Sequence, residues 1–283
     1  MSAASSAVHP GDTGDSASSQ GIEWLARFGY AAKATVYTVI GILAVQMAFG
    51  AGGQTTGSRG ALREIAAAPF GKVALGLVTV GLVGYVAWRL VQALMDPEAD
   101  RSDDGTPKRW GLRVFYLLSA ATYGSLAYYG ATLVLDTGGA SAGGSGGSGN
   151  QTWVAQLMGV RWGAWLIGAV GAGVVIRGLF QLVKAYTKSF KEKISSFELG
   201  PAPREWVIRA SRLGLTSRAA VFGIIGGSIT YAAITRDPQE ARGLEGALDM
   251  LVTRPWLLGA VGVGLLCYAV YQWTKARYRL IGV

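Results

Sequence analysis

The chain has 283 residues, 51% of them hydrophobic and only 15% charged, with a mean hydropathy of +0.32; soluble domains carry about a quarter charged residues, so this balance belongs to a membrane protein. Its net charge of +9 comes from basic residues set beside apolar runs, where anionic headgroups are the nearer partner, which argues against nucleic acid. A single histidine, His9, and a single cysteine, Cys267, exclude a bis-histidine haem, a histidine-ligated zinc, a Ser-His-Asp triad and a disulfide framework, and no metal or cofactor is expected.

In chain order, residues 1–22 read as a disordered cytoplasmic tail, lacking the basic start and apolar run of a signal peptide. Six apolar stretches follow, at 28–50, 70–94, 112–135, 160–185, 214–235 and 256–275, each near the ~20 residues that cross ~30 Å of hydrocarbon. The segments GALREIAAAP and ARGLEGALDMLVT have apolar residues at the spacing of short interfacial helices, although an ordered connector is the simpler expectation. A Gly/Ser linker, DTGGASAGGSGGSGN, joins spans three and four and carries no basic residue. With the even-numbered loops and both tails on one face, 19 of the 26 lysines and arginines collect there, which predicts cytoplasmic termini in a plasma membrane.

The first and fifth spans match without gaps. RFGYAAKATVYTVIG, from Arg27 to Gly41, lies on RLGLTSRAAVFGIIG, from Arg212 to Gly226, pairing Gly29 with Gly214, Lys33 with Arg218, Tyr37 with Phe222 and Gly41 with Gly226. The third span is a weaker copy, in which Trp110 and Arg113 match Trp24 and Arg27, Tyr123 matches Tyr37, and Phe115 and Ser119 replace the glycine and the lysine. Even-numbered spans also repeat, from aromatic starts at Phe70, Trp162 and Trp256 to the ends Arg89-Leu-Val-Gln92, Arg177-Gly-Leu-Phe-Gln181 and Gln272-Trp-Thr-Lys275. The expected fold is thus an all-α integral membrane protein of three two-helix repeats, at 23–95, 108–187 and 204–280. An even number of spans per unit makes the repeats parallel, and three of them suggest pseudo-threefold packing about the membrane normal, with glycines at the close contacts.

The Arg-x-Gly-Tyr-x-x-Lys pattern, the GALREIAAAPFG segment and GYVAWRLVQAL together resemble the bacterial membrane proteins catalogued as domain of unknown function 1206. The resemblance covers nearly the whole chain after the tail, is best in the first repeat, and departs in the second at Phe115 and Ser119. It implies three paired-helix units in a bacterial membrane and carries no activity.

Ionisable residues at membrane depth are the candidate site, because burying them costs several kcal/mol unless they snorkel or pair. Lys33, Arg89, Arg113, Arg177 and Arg218 all lie in the cytoplasmic halves of their spans, where snorkelling is the simpler expectation. The sharper expectation joins them with Gln92, Gln181 and Gln272 in a basic, amide-lined pocket for a phosphate headgroup or another anion. No Asp or Glu falls inside a span, which disfavours an ion-coupled transporter. Three functions follow in order: a non-enzymatic protein that binds anionic lipid or serves a membrane complex as an accessory subunit, a passive channel or transporter, and an intramembrane enzyme acting on lipid.

Overall fold

A computed structural model of the chain describes residues 12–95, 107–135, 151, 154–187 and 201–278. The regular structure among them is helical: α1 (Asp12–Ala48), α2 (Ser58–Ala67), α3 (Gly71–Met95), α4 (Pro107–Val134), α5 (Gly163–Tyr186), α6 (Pro201–Thr235), a 3-10 turn (Pro238–Glu240), α7 (Leu244–Asp249) and α8 (Pro255–Tyr278). Such a content suits lipid, where a backbone group without a partner inside its own segment is costly.

Five of these helices contain stretches long and apolar enough to cross a bilayer: Trp24–Ala48, Gly71–Leu94, Gly163–Val183, Arg204–Thr235 and Pro255–Tyr278. The chain is therefore an all-α, multi-pass membrane protein. The expected third span is a helix of sufficient length, 28 residues, but it does not join the five by composition. Its apolar run is interrupted by Tyr116, Tyr123, Tyr128 and Tyr129 and by serine, threonine and glycine.

One boundary differs plainly from expectation. Helix α1 starts at Asp12, so residues 12–22 of the expected disordered tail are helical, while residues 1–11 lie outside the described residues. Extending an existing helix costs far less than nucleating one, and residues 12–22 continue the helix that carries the first span. The two connectors fold as short helices, α2 and α7, on one end of the bundle. Helix α2 buries Ala61, Leu62 and Ile65 and joins Ile40, Ala44, Leu75, Leu248 and Leu258 in one core, so apolar side chains fill that end. Three glycines with positive φ, Gly50, Gly52 and Gly53, make the turn from α1 toward α2.

The long helices pack in a defined order. Helix α1 lies against α3 and α8, α3 against α4, and α6 against α5 and α8, whereas α4 and α5 form no comparable contact. Glycines explain the closest of these. A Cβ on Gly29 would stand 2.7 Å from the Cα of Tyr85, and one on Gly214 would run into the backbone of Tyr268, so α1 meets α3 and α6 meets α8 backbone to backbone. Gly41 and Gly226, farther along the same helices, make the other contact: a Cβ at Gly41 would meet Leu266 of α8 at 2.8 Å and one at Gly226 would meet the Gly171 carbonyl of α5 at 2.6 Å.

Candidate functional site: a basic cavity among six helices

In the half of the bundle nearer the termini, side chains from all six long helices line a cavity of about 130 Å³. Helix α1 supplies Lys33, α3 Arg89, α5 Arg177 and Gln181, α6 Arg218, and α8 Gln272 and Lys275, while α4 contributes Phe115, Ser119 and Tyr123. Six of the eight residues singled out in the sequence thus share one wall: Lys33, Arg89, Arg177, Gln181, Arg218 and Gln272. Gln92 stands behind it, buried, accepting from Arg89 Nη1 at 2.7 Å. Arg113 is half-buried on α4 and does not line the cavity.

The snorkelling expectation fits Lys33 poorly, because it is only 4% exposed. Instead Nζ donates to the Tyr85 hydroxyl at 3.3 Å and stands over the rings of Tyr85 and Tyr123 at 5.0 and 4.7 Å. Arg89 donates to the same hydroxyl, from Nε at 2.9 Å and from Nη2 at 2.6 Å. Arg218 repeats this across the cavity: its Nη1 donates to the Tyr268 hydroxyl at 2.5 Å, and the guanidinium lies over the rings of Phe222 and Tyr268 at 4.7 and 4.6 Å. Arg177 stacks on Phe115 at 4.4 Å and Lys275 on Tyr271 at 4.6 Å. Aromatic faces attract cations through the ring quadrupole, by about 2 kcal/mol each when water is excluded. They hold the charges of Lys33, Arg89, Arg177 and Arg218 in place.

Charge balance is the decisive property. Five basic side chains line the cavity, three of them arginines that stay charged, and no carboxylate is among the described residues that line it. Moreover, Gln181 is 4% exposed with neither amide atom hydrogen-bonded. Tyr85, whose oxygen already accepts from Lys33 and Arg89, keeps its own proton to donate. Chemically the wall is a set of donors and positive charges awaiting an acceptor.

Lys275 and the tyrosines were not among the residues chosen from sequence. A signal for two of them, Tyr85 and Tyr268, exists in the glycines of the second helices. Laying Gly76 on Gly168 and Gly259, and Gly81 on Gly173 and Gly264, brings Tyr85, Arg177 and Tyr268 to one position. The next turn then holds Arg89, Gln181 and Gln272. This register lies one turn from the pairing of Arg89 with Arg177 suggested by the local motifs, and it places a cavity residue at every one of the six positions.

Comparison with known proteins agrees with this architecture. The chain is 32% identical over 263 residues to the uncharacterized protein YxxB of Bacillus subtilis (strain 168), an overlap of 90% of this chain and 92% of that protein. No solved structure matches. The family model described as Domain of Unknown Function (DUF1206) matches three successive segments, residues 28–96, 114–188 and 213–279, and the chain accordingly belongs to that family.

Proposed function

We propose that this chain is a non-enzymatic, six-span membrane protein whose central cavity binds the phosphate-bearing headgroup of an anionic lipid. The single observation that carries the reading is a cavity lined by Lys33, Arg89, Arg177 and Arg218 with no carboxylate among its described lining residues. Burying such charges costs several kcal/mol each, and an anion in the cavity would offset that cost for the three arginines at once. A cavity of about 130 Å³ has room for one tetrahedral anionic group and not for a whole lipid.

Helix α4 completes the six spans in this reading, since it is 28 residues long, about 42 Å at 1.5 Å per residue, and contributes a wall of the cavity. Pseudo-threefold symmetry is supported by the packing order, in which the second helix of each repeat lies on the first helix of the next: α3 on α4, α5 on α6 and α8 on α1. The bias of lysine and arginine toward the termini supports a cytoplasmic placement of both ends and of the nearer mouth of the cavity. A passive channel is less well supported, because apolar residues of α2 and α7 fill the opposite end of the bundle. An enzyme acting on lipid is less well supported, because the described wall offers neither histidine nor carboxylate as a general base and its buried lysine, Lys33, donates to the Tyr85 hydroxyl.

Thermal stability in neutral detergent tests the reading. Phosphatidic acid should raise Tm by several degrees while phosphatidylcholine does not, since a ligand that binds only the folded state stabilises it by mass action. The double variant Arg89→Gln/Arg218→Gln should lose that response. An equal response to both lipids, or one retained by the double variant, would remove the cavity from the account.

A further inference from the structure

The three repeats enclose the cavity unequally, and the difference leaves an opening to one side. Within repeats one and three the paired helices touch through glycine: Gly29 against Tyr85, and Gly214 against Tyr268. In repeat two the glycine position holds Phe115 and the tyrosine position holds Arg177, and their contact is a ring under a guanidinium at 4.4 Å. A phenyl ring cannot sit where a Cβ would already collide with the facing backbone, so α4 and α5 stand apart. A second level of the helices agrees. A Cβ on Gly81 would meet the Ala32 Cβ at 2.7 Å, and one on Gly264 would collide with Ser217, but the matching Gly173 of α5 has nothing within 4 Å of its Cβ position.

From Arg177 the same stripe of α5 runs away from the cavity through Gly173, Val170 and Leu166 at helical spacing. Val170 is 58% and Leu166 55% exposed, and the eleven helical steps from 166 to 177 span about 16 Å. An apolar, exposed stripe of α5 therefore begins at the basic cavity and leads toward the α2 and α7 end of the bundle. Its polarity is that of a lipid from the leaflet on the terminal side, with the charged group at the bases and the chain running toward the middle of the membrane.

We infer that the seam between α4 and α5 is a hydrocarbon subsite continuous with the cavity. The ligand enters sideways from the bilayer as a chain-bearing phosphate, with its headgroup against Arg177 and Arg218 and one acyl chain along Gly173, Val170 and Leu166. This rests on the anion-binding reading and adds the source of the anion, which is membrane-borne and not dissolved.

The full chain in bilayer discs of phosphatidylcholine with phosphatidic acid carrying a diazirine in one acyl chain provides the test. Irradiation should label peptides of α4 and α5, and a thousandfold excess of glycerol 3-phosphate should not suppress the labelling. Gly173→Leu, placed in open space, should fold as the parent does, cut labelling at least tenfold and leave the binding of glycerol 3-phosphate unchanged. Labelling spread evenly over all six helices, labelling unaffected by Gly173→Leu, or full competition by glycerol 3-phosphate would overturn the seam while the cavity reading stood. Absence of binding by both phosphatidic acid and glycerol 3-phosphate would overturn the cavity reading and the seam with it.

Discussion

Repeats one and three differ from repeat two by a few side chains at matched positions, and those side chains separate a closed helix pair from an open one. Glycine facing tyrosine brings backbones together in α1 with α3 and in α6 with α8, while phenylalanine facing arginine holds α4 away from α5. The first helices diverge in charge as well, with Lys33 and Arg218 matched by Ser119. Duplication supplied three similar walls, and one of them has the composition of a doorway. In lipid, where no hydrophobic effect holds helices together, removing a single close contact is enough to leave a seam.

The largest effect should come from closing off a glycine contact. Gly214→Leu places a side chain into the Tyr268 backbone and should cost about 3 kcal/mol or more, read as lost folded yield and a lower Tm in detergent. The same change at Gly173, where nothing lies within 4 Å, should stay within about 0.5 kcal/mol. Equal damage at both positions would break the comparison between repeats.

Ser119→Lys would give repeat two the base that the other two first helices carry, placing a sixth positive charge in the cavity. The variant should be less stable than the parent by about 1–2 kcal/mol in lipid-free detergent, through repulsion among like charges. Phosphatidic acid should restore it more than it stabilises the parent. A variant equally stable with and without anionic lipid would count against a shared electrostatic site.

Phe115→Ala removes the ring beneath Arg177 and should cost about 1 kcal/mol of cation–π and packing energy. Spin labels on the exposed faces of α4 and α5 should then report a shorter separation. An unchanged distance would mean that the ring does not set the width of the seam. A comparable effect, confined to stability, lies at the opposite end, where Arg63 of α2 donates to the Tyr129 hydroxyl of α4. Arg63→Ala should lower stability by about 1 kcal/mol without altering lipid binding.

Much of the architecture was legible in the sequence because membrane helices and tandem copies both leave one-dimensional signals. The apolar stretches fell on long helices, and pairing Gly29 with Gly214 and Gly41 with Gly226 located close contacts before any coordinates. Lys33, Arg89, Arg177 and Arg218 stood out because charges are rare in such segments. Their convergence was less legible, since snorkelling to the headgroups and burial around a cavity predict the same residue types at the same depth. Burial of Lys33 beneath Tyr85 and Tyr123 separates the two. Arg113 illustrates the converse, a basic residue at a repeated position that lies outside the cavity wall.

The tyrosines escaped notice for a physical reason. In a membrane sequence they read first as interfacial anchors, whereas Tyr85 and Tyr268 here sit inside the bundle and hold guanidinium groups. The open seam was also invisible in one dimension. Phe115 reads as an ordinary apolar substitution until the glycine that it replaces is seen against a backbone.

The most direct test of the central claim is native mass spectrometry of the intact protein released from bilayers of equal phosphatidic acid and phosphatidylcholine. The account predicts one phosphatidic acid retained per chain, and at least about tenfold less in Arg89→Gln/Arg218→Gln, as truncating buried charge contacts commonly costs 2 kcal/mol or more. Retention of both lipids in the ratio supplied, or of phosphatidic acid equally by the parent and the double variant, would contradict it.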